Sequence, residues 1–580
     1  MNRHLRILAR IAFAVLVLPQ ILGCGGGSKS TKSAPPSGPT SPAPAPTPPG
    51  QILPADRSTD WDLAGIPGGI VARSGIGATV NAATYGNGTT DATSAIQNAI
   101  NACPSGQVVY LPAGTYVTTQ PINLKSNITL RGAGPGQTIL RYQGTGARAV
   151  LEMYGYVWSE IDSVRWIVPV TGGMAKDSRQ ITVSSASGFS VGDVLLIDQL
   201  NDGVLVDING FEGACTYCSR ENGARARGMF AQITSISGNT LVLNLPLYWS
   251  LNPALSPVAV RVRSNSWLRW CGVEELSVSE AQANVEYLIE VQGAQYCWLK
   301  RVDISRMNRR GVWSVLSLQN EVRECTIRDS IGGYGHDHGY GVQLDGQTTA
   351  TLVENNIFRT IGSGGAMTSG GAVGNVVAYN YLFDMRYDDP TWNAMGPYIN
   401  HAPHPSMNLF EGNIGPGLAA DFIHGSSSHN TVFRSRSTGW INSTMVYGNS
   451  AITLNYKNTS FSVIGCVLGT ASKTTVYELA PPGSDNSAAS VVWRLGFAGP
   501  NWATDPNVKA TLLRHGNWDS VTNGVVWDPG ISTHTLPASL YLSGKPSWWG
   551  SSLPWPPIGP DVSPVSNKIP AQVRYESGGY

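Results

Sequence analysis

The sequence predicts an all-β fold of the solenoid kind, a parallel β-helix, on three observations. Only 13% of its 580 residues are charged, and Gly (66) and Pro (37) are plentiful. An ordinary soluble chain carries about 25% charge. Low charge with abundant Gly, Thr, Ser, Asn, Val and Ile marks a β-rich exported protein. Second, a strand motif of the form x-x-Val/Asn-x-Ile recurs at Leu276, Val302, Cys325, Asn355, Tyr379, Gly412, Ser435 and Gly465, in steps of 26, 23, 30, 24, 33, 23 and 30 residues. One winding of three short strands and their turns takes about that many, and uneven steps mean loops added to single windings. Third, one amphipathic helical segment precedes the first strand. The same figures exclude a coiled coil, a helical repeat array and, at a formal charge of +1, a nucleic-acid binder relying on a basic surface.

The N-terminus reads as an address. Arg3, Arg6 and Arg10 precede the apolar run 11–18, and Ile21-Leu22-Gly23-Cys24 follows. This is similar to a bacterial lipoprotein signal, with 1–23 removed and Cys24 lipidated. Loss of those three arginines would turn the formal charge from +1 to −2. Residues 24–52, rich in Pro, Ser, Thr and Gly, cannot build a core and read as a disordered tether. The expected location is the membrane, through a lipid anchor, facing the periplasm or cell surface.

Residues 53–170 hold the entry to the solenoid. Thr90 or Asp91 can cap a helix whose apolar face is Ala92, Ala95, Ile96, Ala99 and Ile100. Pro104-Ser105-Gly106 stops it, and the strand 108–111 and the turn Pro112-Ala113-Gly114 follow. Such a helix would plug the open end of the stack. The stretch 85–116, with the Asn127–Leu140 strand-turn-strand after it, resembles the entry to the pectate-lyase-like superfamily. There a G-x-G-x-T-D-x-T-x-A-I-Q helix is followed by V-x-x-P-x-G-x-Y and an N-x-x-L-x-G-x-G turn. The resemblance implies a right-handed parallel β-helix related to polygalacturonases. The Asn-rich phrases at 354–358, 379–381 and 411–414 are expected to form a side-chain amide ladder. Cys271 and Cys297, one step apart, are expected to stack as core thiols.

Residues 171–258 break the rhythm with antiparallel strands at 181–183, 194–197, 230–236 and 240–245, and read as a small inserted β domain. Residues 259–475 carry the main windings. Residues 476–580 form an irregular tail holding Trp502, Trp518, Trp527, Trp548, Trp549 and Trp555, which is expected to pack along the helix and cap its C-terminal end rather than to bind sugar. Besides Cys24 there are seven cysteines, an odd number; the pair Cys215-x-x-Cys218 reads as a local disulfide.

Six of the nine histidines fall between 336 and 429, together with Asp337, Asp345, Asp384, Asp388, Asp389 and Asp421. Counting back 11 residues from the markers places Leu344, Thr368, His401 and His424 in one column, so His401 and His424 should be neighbours. Asp421, His424, His401 and Asp345 are the expected catalytic groups. His404, His338, Asp337, Arg434 and Arg436 are the expected substrate contacts. Loops in the windings marked 355 and 412 would wall this strip into a groove. His401, His404, Asp421 and His424 also have metal-ligand chemistry, but no metal is assigned. A groove along a β-helix suits an extended polysaccharide. Hydrolysis would use paired carboxyl groups. β-Elimination would use a base plus Arg or Ca²⁺ to neutralise a uronate carboxylate. The polygalacturonase signatures N-T-D and R-x-K and the pectate-lyase patterns W-x-D-H and R-x-P-x-x-R are absent, so the resemblance transfers no catalytic residue. The expected function is a surface enzyme that cleaves a uronate-containing or plant-type polysaccharide. The alternative is a non-catalytic glycan-binding or envelope protein.

Overall fold

Short apolar strands separated by left-handed turn residues wind this chain into a stack. Asn355 and Tyr379 sit at positive φ where one strand bends into the next. The computed structural model describes residues 47, 50–155, 166–262, 267–498 and 503–580. The expected signal, Cys24 and most of the tether lie outside the described residues, as does Trp502.

Three parallel ladders run the length of the stack. One passes through Glu321–Arg323, Leu352–Glu354, Val376–Ala378, Leu409–Glu411, Thr431–Phe433, Ser462–Ile464 and Leu513–His515. A second passes through Thr326–Arg328, Ile357–Gly362, Tyr381–Arg386, Ile414–Gly415, Arg436–Ser437, Val467–Leu468 and Asn517–Asp519. These two belong to one 22-stranded sheet; an 11-stranded sheet makes the third wall. The windings therefore continue to Asp519, beyond the end expected at 475. Every winding sends apolar side chains inward, from Val109 and Leu130 to Val463 and Leu495, into one continuous core. Cys103, Cys271, Cys297, Cys325 and Cys466 are buried free thiols in this core.

The repeat marked the right wall with a slip of one residue at four places. Strand pairing stacks Leu276, Val302, Cys325, Asn356, Asn380, Asn413, Ser435 and Cys466. The markers Asn355, Tyr379, Gly412 and Gly465 are each one position early. Asparagine settles the register: Asn356 Nδ2 donates to Asn380 Oδ1 and Asn380 Nδ2 to Asn413 Oδ1, both at 3.0 Å. A second ladder joins Asn375, Asn408 and Asn430 at 2.9 Å per step. Each of these buried amides also bonds a backbone carbonyl.

The helix Thr93–Ala102 buries Ile96 and Ile100 over the first winding. Its first turn is held by Asp91, whose Oδ1 accepts the Thr93 N–H at 2.9 Å. At the other end Val508, on the helix Asn507–Thr511, enters the core. The C-terminal segment continues from that helix. It runs back along the outside, where Ile531, Leu536, Tyr541, Trp549 and Ile569 cover Tyr379, Leu409, Phe433 and Ile464. The segment 50–74 also lies along the stack: Arg57 donates to Phe461 and Thr511 carbonyls, Trp61 to the Met407 carbonyl, and Arg73 to Thr129.

The insertion is a closed antiparallel barrel of six strands: Ile167–Gly172, Gln180–Val183, Val194–Asp198, Gly228–Ser237, Thr240–Leu243 and Val258–Val262. It extends a few residues beyond the expected 171–258 at both ends and has its own apolar core. Between its third and fourth strands, residues 199–227 leave the barrel. Buried Asp198 holds the returning chain through Arg220 and Arg225, each at 3.0 Å.

Candidate functional site

The strands Tyr340–Asp345, Ala366–Thr368, Tyr398–Ile399 and Leu418–Ala420 are consecutive rungs of the third wall. Their register stacks Leu344, Thr368, Ile399 and Ala420. His401 and His424 are therefore not in that column. The turns between walls are longer in the later windings, so counting back a fixed 11 residues stops short of the column, at 401 and 424 instead of 399 and 420. Asp345, Ser369, Asn400 and Asp421 occupy the next position along, the last residue of the first rung and the residue after each of the other three. Asp345 and Asp421 are thus three windings apart, about 14 Å along the stack at about 4.8 Å per step.

A turn built by Asp421 brings the histidines together. Its Oδ1 accepts the Ile423 N–H at 2.9 Å, folding 421–424 back on itself. Its Oδ2 meets His401 Nδ1 at 2.9 Å, one winding away. The His401 and His424 rings then lie edge to face with centroids 5.1 Å apart. Their environments differ. Burial opposes the His401 imidazolium, but the charge and hydrogen bond of Asp421 outweigh it and raise the His401 pKa. Burial, with His401 beside it, lowers the His424 pKa against the opposing pull of Glu212, Asp421 and Asp345. Two adjacent imidazoles are thereby biased toward opposite protonation states.

Tyrosines surround the pair. Tyr340 lies edge-on to His401 at 6.0 Å, and Tyr217 edge-on to His424 at 6.2 Å. Tyr398 is a rung residue beside Asp421, and its phenol is raised well above the ordinary range by burial and by the Asp421 charge. Asp345 is held by the Gly346 N–H at 2.9 Å, Trp313 Nε1 at 3.2 Å and Gln343 Nε2 at 3.3 Å.

Two walls flank the cluster. On one side loop 329–339 meets loop 386–397, where Asp388 accepts the Tyr334 N–H at 2.9 Å. Loop 438–449 joins them through the bond from the Val446 N–H to the Thr391 carbonyl. The expected loops in the windings marked 355 and 412 are the first two of these. The other wall is the excursion 199–227 of the barrel, stapled by the disulfide Cys215–Cys218, which packs on Ala402. It brings Glu212 to 3.7 Å from His424 Nε2.

The other expected contacts are taken up by partners within the fold. His404 is fully buried between Ser426 Oγ (3.1 Å) and Ser428 Oγ (2.8 Å), and burial lowers its pKa well below the usual value. It holds the turn and faces no groove. Arg434 is buried under the C-terminal segment, where it donates to the Leu536, Pro537 and Ile558 carbonyls and pairs with Asp561. Arg436 donates to the Ser437 and Val467 carbonyls on the same wall. Arg434 is covered because the tail returns over it. Asp337 pairs with Arg309 and Arg310, and His338 Nδ1 meets Asn308 Oδ1 at 3.1 Å. Both fasten the loop 329–339 to the stack. Sequence reasoning missed Glu212, Tyr217, Tyr340 and Tyr398; the Cys215-x-x-Cys218 staple next to Glu212 was the one signal available. Among the described residues, no group of three or more His, Cys, Asp and Glu is arranged to hold a metal ion.

Residues 80–191, from the start of the cap region into the barrel, match the family described as rhamnogalacturonase A/epimerase, pectate lyase-like. Over that segment, the entry to the stack, the chain is similar to this pectate-lyase-like family. The matched segment ends well before His401, so the likeness concerns the entry and the site rests on geometry. Similar folds include the tailspike protein gp49 of Pseudomonas phage LKA1, at 16% identity and a TM-score of 0.46, covering 70% of this chain and 63% of that one. This chain thus spans less than two thirds of that tailspike. A mannuronan C-5 epimerase A-module of Azotobacter vinelandii is 13% identical with a TM-score of 0.39, covering 76% of this chain and 98% of the module. A polygalacturonase of Erwinia carotovora is 11% identical with a TM-score of 0.29, covering 77% and 96%. No curated protein sequence matches the chain.

Proposed function

We propose that this β-helix cleaves a uronate-containing polysaccharide by β-elimination at the His401–His424 pair. The observation that carries the reading is the split in their environments: two imidazoles 5.1 Å apart, one favoured in the charged form by Asp421 and the other disfavoured. Titratable neighbours pushed apart in this way take acid and base roles. Neutral His424 removes the proton on the carbon next to the uronate carboxylate. The electron pair left behind forms the new C=C bond, and the glycosidic C–O bond on the adjacent carbon breaks. His401 gives its proton to the departing oxygen, and exchange with water resets both rings.

Elimination is favoured over hydrolysis by the carboxylates. Asp421 is buried and its two oxygens are taken up by Ile423 and His401. Asp345 is three windings away, beyond the separation of about 6–9 Å that an inverting pair uses. Calcium would require grouped oxygen ligands, and the described residues show no group of three or more His, Cys, Asp and Glu arranged to hold an ion. The C-terminal tryptophans do not favour a binding module: Trp549 is buried, and Trp548 and Trp549 pack on Tyr379, on a different wall from the histidines. The lipoprotein reading of Cys24 would place the enzyme on a tether at the membrane, outside the cytoplasm, where polymer is available.

The test is a screen of pectic, alginate and other uronate polymers for the ultraviolet absorbance of the new C=C bond. His424→Ala should abolish it. New reducing ends without absorbance, or full activity in His424→Ala, would overturn the reading.

A further inference from the structure

The barrel insertion is fitted to the histidine turn more closely than a neighbouring domain requires. The Phe211 and Glu212 N–H groups each donate 2.9 Å bonds to the Phe422 and Ile423 carbonyls, so the hairpin tip pairs with the turn that carries His424. Glycines make this approach feasible on both sides. A Cβ at Gly210 would lie 2.2 Å from the Ile423 carbonyl oxygen, and one at Gly425 would lie 2.4 Å from that of Asp207. Asp207 is tied to the stack twice more, by Lys457 Nζ at 2.7 Å and by its N–H on Ser426 Oγ at 2.8 Å. The disulfide closes the excursion just after Glu212, whose side chain is 59% exposed while that of His424 is 18% exposed.

We propose that Glu212, supplied by the insertion, is a positioning residue for His424. The carboxylate faces Nε2 at 3.7 Å, an ion-pair distance; its negative charge favours the hydrogen on that nitrogen and leaves Nδ1 as the proton acceptor. The other charged or titratable groups acting on His424 are His401, Asp421 and Asp345, with Tyr217 edge-on to the ring. Glu212 is the one contributed by the excursion as a carboxylate. The assignment uses the elimination reading only to say what Nδ1 does.

The test uses the full chain with ¹⁵N-labelled histidine, with His424 assigned by its loss in His424→Gln. In the wild type, His424 should show the Nε2–H tautomer. In Glu212→Gln its titration midpoint should fall by about half a pH unit, as expected for a partly exposed ion pair, and in Glu212→Ala the tautomer preference should also be lost. The hairpin docks through backbone, so both variants keep the fold. An unchanged midpoint and tautomer in both variants would overturn the assignment. If the shifts occur while no polymer is turned over, Glu212 keeps its role and the elimination reading falls instead.

Discussion

Replacing Asp421 by Asn removes one charge and almost no shape. The turn bond from the Ile423 N–H to Oδ1 can persist, because an amide oxygen accepts as a carboxylate does. The loss falls on the 2.9 Å contact to His401, a hydrogen bond to a charged group worth about 1.5–3 kcal/mol. That corresponds to about one to two units in the His401 pKa at 1.36 kcal/mol per unit. His401 must be protonated to act as the acid, so activity falls as pH rises through its pKa. Asp421→Asn should therefore move the alkaline limb of kcat/KM toward lower pH by about one to two units. At neutral pH the loss should approach the lower end of the hundredfold to ten-thousandfold range typical of acid–base groups. The linkage has the same sign. A histidine whose folded pKa is raised adds stability that is full below its unfolded pKa, about 6.5, and is lost as pH rises through the folded value. The stability gap between wild type and Asp421→Asn should accordingly be wide at pH 6 and narrow above the folded pKa. A pH profile on the polymer found by the screen, with urea melts at several pH values, makes the check. An alkaline limb that stays in place would refute the acid role of His401.

Burial depresses the His429 pKa to about 3, so this group contributes stability above about pH 6.5 that is lost as pH falls toward 3; His429→Gln should blunt the acid loss seen in melts by circular dichroism. Asn380→Ala strands the Val353 carbonyl and the Asn356 donors inside the stack. At about 1–3 kcal/mol per orphaned group it should lower urea stability by several kcal/mol, and a change under 1 kcal/mol would refute the ladder's role. Arg434→Ala leaves three tail carbonyls and Asp561 without their donor. It should expose the C-terminal segment to limited proteolysis while leaving polymer cleavage within about twofold, because Arg434 and the histidines are on different walls.

The cap helix, the winding repeat, the asparagine ladder, the core thiols and the inserted β domain were all legible from the sequence. Each is a local or periodic consequence of side-chain chemistry: apolar spacing in 92–100, amide-rich turns at 356, 380 and 413, and a break in step length at the insertion. The proximity of His401 and His424 was legible too, but through a column they do not occupy. The structure reaches the same proximity by a different route, the carboxylate-built turn 421–424. Arg434 shows the converse failure. Its place on an outward position was readable, but the segment 531–571 that buries it arrives from about a hundred residues downstream.

What the sequence by itself determined is the repeating part of this protein, because stacking is a nearest-neighbour interaction and each winding states its own preference. Only the tertiary structure decided which surface stays open and what charge each histidine favours. Those outcomes depend on chain brought in from afar: the tail covers one wall, while the barrel hairpin delivers Glu212 to another. Desolvation and Coulomb forces act over a few ångströms of space and take no account of separation along the chain.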